Sequence, residues 1–91
     1  MGNRVDGSAS GVVTVRFFAG ARAAAGVAET SVSAGLTHDD FVAELAERHG
    51  ERLATVLKVA SFLVDGVAWR DGQRPLPAGA EVDVLPPFAG G

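Results

Sequence analysis

The chain has 91 residues, with 8 Lys and Arg against 11 Asp and Glu, for a formal net charge of −3. That length suits one small domain, and the acidic balance argues against nucleic acid as a main partner, because phosphate binding needs clustered cations. With no cysteine there is no disulfide, no zinc knuckle and no thiol nucleophile.

The first eleven residues are polar, contain Gly and Ser, and lack periodicity, which predicts a flexible N-terminal extension. Met1-Gly2 does not complete a myristoylation motif, since Asp6 stands where Ser or Thr is needed. No apolar run approaches membrane-spanning length and no signal-peptide core is present, so a cytoplasmic location is expected.

Val12 to Ala19 reads as a first strand, with Val13, Val15 and Phe17 toward the core and Phe18 on the other set. Gly20 to Gly26 is small and Ala-rich, either a wide loop or a short helical turn. It lacks the closely spaced glycines and the Lys of a phosphate loop. Ala28 to Ala34 alternates as a second strand, completing a hairpin-like pair with the first.

A helix follows. Thr37 is placed to cap it, and Asp39 and Asp40 favour its positive end. Phe41, Val42, Leu45, Ala46 and His49 form its apolar stripe, and Gly50 stops it. His49 reads as a stripe-edge residue and His38 as a first-turn surface residue. The two lie far apart with no third ligand at suitable spacing, so no metal site is expected.

Glu51 to Val59 adds a short helical turn that presents Leu53, Val56 and Leu57. Ser61 to Val64 is a third strand, Asp65-Gly66 a tight turn, and Val67 to Trp69 a short return strand. Trp69 either packs on the core rim or forms part of a docking surface. Leu76 is expected to plug the core from the Pro75 to Gly79 connector. Ala80 to Leu85 is the final strand, with Val82 and Val84 on one face and Glu81, Asp83 and Leu85 on the other. Leu85 is either a docking spot or an ordinary exposed leucine.

Pro86-Pro87-Phe88-Ala89-Gly90-Gly91 closes the sequence. The prolines cannot continue a ladder normally and favour a stiff polyproline II arm. Gly90 and Gly91 carry no side chains. Extended, Pro87 to Gly91 reaches about 17 Å, which fits a terminal carboxylate entering a narrow tunnel. The expected organisation is an extension over 1–11, a domain over 12–85 and a tail over 86–91.

The order strand, strand, helix, strand, short strand, strand places one helix across a mixed sheet, an α+β arrangement. Its simplest form sets the first and last strands parallel at the centre, which is the β-grasp or ubiquitin-like roll.

Val15-Arg16-Phe17-Phe18-Ala19-Gly20-Ala21-Arg22, Leu63-Val64-Asp65-Gly66 and Leu85-Pro86-Pro87-Phe88-Ala89-Gly90-Gly91 resemble the MoaD/ThiS sulfur-carrier family, over about 12–91. The double proline is most like the branch that forms the small subunit of molybdopterin synthase. Ala80 departs from the family, which often has Asp there.

The resemblance implies that an E1-like adenylyltransferase (MoeB/ThiF-type) uses ATP to activate the Gly91 carboxylate. A sulfur donor protein then converts it to a thiocarboxylate. The tail, Pro86 to Gly91, would enter a MoaE-type large subunit, where its sulfur builds the dithiolene of molybdopterin. Catalytic groups would belong to those partners. No cofactor would be bound stably by this chain, and Phe18, Trp69 and Leu85 are its candidate docking residues. Two alternatives stand: sulfur for cysteine, thiamine or tRNA thiolation, and a ubiquitin-like binding module whose tail is never activated. A self-contained enzyme is disfavoured, since the sequence offers no nucleophile–base pair.

Overall fold

The computed structural model describes residues 11–87. Eight elements follow one another: β1 (Val12–Phe17), α1 (Ala19–Ala25), β2 (Glu29–Ser33), α2 (His38–His49), α3 (Glu51–Leu57), β3 (Ser61–Val64), β4 (Val67–Ala68) and β5 (Glu81–Leu85). The strands form one mixed sheet in the order β2-β1-β5-β3-β4. β1 and β5 are parallel and central, with Val15 opposite Val82 and Phe17 opposite Val84. The other pairings are antiparallel. This is the ubiquitin-like β-grasp roll.

Alternation in the strands decides which face the helices cover. Val13, Val15, Phe17, Val32, Phe62, Val82 and Val84 point to one side and are buried there against Phe41, Leu45, Leu53 and Leu57 of α2 and α3. Leu76 fills the same core from its connector, as expected. No helix among the described residues is long and apolar enough to cross a membrane.

The Gly20 to Gly26 segment resolves as helix. α1 starts at Ala19, whose φ of 48° breaks the strand after Phe17, so β1 is shorter than the expected Val12 to Ala19. Gly26 ends α1 in the left-handed conformation, φ 82°, and its N–H donates to the carbonyl of Arg22. Ala21 packs this helix into the core. At the other turn, Asp65 and Gly66 both have positive φ, 50° and 84°. That combination joins the strands of a two-residue hairpin.

His38 does not behave as a surface residue. Its ring packs edge-on against Phe62 and Trp69, with centroids 4.9 and 5.2 Å away. The backbone N–H of His38 donates to the carbonyl of Gly72, which draws the 70–77 loop against the start of α2. Thr37 occupies the cap position of α2 without a side-chain hydrogen bond. The return strand stops at Ala68, so Trp69 lies just beyond it.

Candidate tail root and docking face

β5 carries the start of the tail. Leu85 is its last residue and is half-buried, followed by Pro86 and Pro87. Both of its neighbours grip this end of the strand. Leu85 sits opposite Ser61 of β3, and the N–H of Phe18, just past β1, donates to the carbonyl of Val84 at 3.2 Å. The tail therefore leaves from the centre of the sheet rather than from an edge. Phe88, Ala89, Gly90 and Gly91 lie outside the described residues.

The face without helices carries the alternate residues. Arg16 and Asp83 are opposite one another there and joined by hydrogen bonds of 2.9 and 3.3 Å. Asp83 is also the register partner of Leu63. The hydrogen bond to Asp83 holds the Arg16 pKa above its usual value against the opposing effect of burial, with attraction from Asp83, Glu81 and Glu29 adding to it. Phe18 is exposed, and the Arg16 guanidinium lies 5.6 Å from its ring centre. Phe18 and Leu85 thus stand at one end of one face, beside an ion pair.

Trp69 is not brought to that group. It is half-buried on the helix side, where its Nε1–H donates to the carbonyl of Arg74 at 3.2 Å and its ring packs against Phe41 and Phe62. Of the two alternatives read from sequence, its packing matches the core rim.

Sequence reasoning missed the Arg16–Asp83 pair. Strand alternation put both residues on the outer face, but a parallel register is not legible at single-residue resolution. It also missed Lys58, Ser61 and Arg70, which line a hollow near the tail root. Lys58 and Arg70 share one signal, positive charge in an acidic chain. No group of three potential metal-ligating residues occurs among the described residues.

The sequence model of the ThiS family matches residues 15–91. No curated protein matches the chain at a significant level. Solved structures do. The putative molybdopterin converting factor subunit 1 of Pyrococcus furiosus is 27% identical, with a TM-score of 0.69, over 86% of this chain and 99% of that one. The complex of subunits 1 and 2 of molybdopterin-converting factor from Helicobacter pylori contains a chain 26% identical, with a TM-score of 0.66, over 88% of this chain and 99% of that one. The modifier protein SAMP1 of Haloferax volcanii is 25% identical, with a TM-score of 0.69, over 89% of this chain and all (100%) of that one. The chain belongs to the ThiS family and carries the ubiquitin-like β-grasp fold of MoaD/ThiS-type sulfur carriers.

Proposed function

We propose that the chain carries sulfur on Gly91 and donates it to the dithiolene of molybdopterin. The observation that carries this reading is the family match, which runs through the tail to residue 91. The likeness to molybdopterin converting factor subunit 1 supports the choice of pathway.

The chemistry begins with a poor electrophile. An E1-like adenylyltransferase joins the Gly91 carboxylate to AMP and releases pyrophosphate from ATP. Sulfur at the hydrosulfide level, delivered by a donor protein, then displaces AMP and leaves a thiocarboxylate. The tail next enters the active site of a large synthase subunit, where the sulfur attacks the pterin precursor. The likeness to one chain of a two-subunit complex supports a large-subunit partner. This chain supplies the reacting atom, the reach of the tail and the docking face of Phe18 and Leu85. The absence of cysteine fits, because the sulfur rides on the main chain.

Incubation with the adenylyltransferase, ATP and a sulfur donor should raise the intact mass by about 16 Da, as sulfur replaces oxygen. An unchanged mass with a demonstrably active partner overturns the reading. The likeness to a modifier protein favours a second one, in which an amine captures the acyl-adenylate to form an amide and release AMP. Covalent adducts on lysines of other proteins, in place of the thiocarboxylate, would identify it.

A further inference from the structure

Two hollows flank Trp69. The larger, of about 480 Å3, is lined by Arg70 and Arg74 but equally by Asp65 and Asp71, so its charges balance. The smaller, of about 350 Å3, is lined by His38, Lys58, Ser61, Phe62, Trp69 and Arg70, among others, and by no carboxylate. Lys58 and Arg70 are exposed. Among the described residues neither takes part in an ion pair. Asp39 comes within 4.0 Å of His38 Nδ1 but does not line the hollow. In a chain with a net charge of −3, two uncommitted cations reverse the local sign.

The position of this hollow matters as much as its charge. Ser61 is the register partner of Leu85, the last strand residue before Pro86. The hollow therefore opens beside the tail root, where any protein body that takes in the tail must approach. Its wall is already built. Trp69 is tied to the Arg74 carbonyl, and its ring is wedged against His38 and Phe41. A partner meeting it has little to order on arrival.

We infer that the hollow of Lys58, Ser61 and Arg70 receives an acidic side chain from the protein that accepts the tail. The inference rests on the reading that the tail is activated and handed on. The two cations supply charge-assisted hydrogen bonds to a carboxylate. Such a contact sets the approach and register of the partner more than the chemistry at the far end of the tail.

The test compares a Lys58→Ala/Arg70→Ala double variant with Arg52→Glu, which changes the net charge equally but lies on α3 away from the hollow's lining. Both are assayed with the E1-like adenylyltransferase for KM and kcat, and with the large synthase subunit for Kd. The double variant is expected to raise KM or Kd about tenfold for at least one partner, with kcat unchanged and a flatter salt dependence. Arg52→Glu should stay within roughly twofold of wild type. Values for the double variant within roughly twofold of wild type for both partners overturn the inference. Equal losses in both variants also overturn it, since net charge alone would then be responsible. A wild-type chain that binds but is never converted counts against tail activation alone, and its Kd values still decide the question of the hollow.

Discussion

Arg16 and Asp83 clasp one another across the two central strands, Nε to Oδ1 at 2.9 Å and Nη2 to Oδ2 at 3.3 Å. Two parallel N–H···O bonds make a fork that favours one register. Glu81 stands 3.6 Å from the same guanidinium, so Arg16 keeps a carboxylate nearby even if Asp83 is lost. A double-mutant cycle with Arg16→Ala and Asp83→Ala is expected to give a favourable coupling in denaturant melts at low salt, and a smaller one at high salt. A cycle that closes to zero at low salt would contradict the pairing.

The core admits little loss. Phe41 is fully buried, with its ring 5.8 Å from Phe62 and 5.5 Å from Trp69. Phe41→Ala should cost roughly 3–5 kcal/mol, a large share of the stability of so small a domain. Urea titration followed by Trp69 fluorescence reads this directly. A loss below about 1 kcal/mol would mean that the ring's neighbours close the gap.

Gly66 tests backbone strain by itself. Its φ is 84°, and a Cβ placed there would meet nothing within 4 Å. Gly66→Ala should therefore cost about 1–2 kcal/mol through conformation alone. Asp65→Ala removes something different, the carboxylate oxygen that accepts the Glu81 N–H at 2.9 Å. That change should loosen the start of β5, seen as faster amide exchange at Glu81.

His49 makes the opposite prediction. Its Nε2 is buried with no hydrogen-bond partner among the described residues, while its ring packs edge-on against Phe17 at 5.7 Å. Replacing it with an apolar ring gives up no hydrogen bond at that atom and ends the desolvation cost. His49→Phe should leave stability unchanged or raise it by up to about 1 kcal/mol. A clear loss in thermal melts would show that the imidazole has a role in packing that phenylalanine cannot fill.

Deleting Gly91, or adding one residue after it, should abolish the mass increase while leaving the melting temperature intact. Among the described residues the buried core ends at Val84, and the proposed role of the tail is reach rather than packing. A variant lacking Gly91 that loses its fold would make the tail structural and overturn that division of labour.

Much of the architecture is legible in the chain because its strands alternate cleanly. Val13, Val15 and Phe17, then Val82 and Val84, announce buried faces at period two, and all five are buried. The stripe of α2 announces itself equally well through Phe41 and Leu45. Harder to read is α1, where Ala and Gly carry no periodic contrast and the helix depends on Ala19 adopting an unusual φ. The surroundings of His38 are equally hidden, because they come from Phe62 of β3 and from Trp69 and Gly72 in the loop beyond β4. The polarity of the tail root escapes for a similar reason: Arg70 reaches Lys58 and Ser61 through the pairing of β3 with β4, and Leu85 comes beside them through the pairing of β3 with β5.

The parallel β1–β5 pair has a mechanical consequence. A pull on the tail loads β5 lengthwise, with β1 bonded along one flank and β3 along the other. Ladders on both sides would have to slide together before the strand could yield, whereas an edge strand peels one rung at a time. On the proposed reading, a receiving enzyme drags the chain in by its end, and later lets it go, without unravelling the body to which that end is moored.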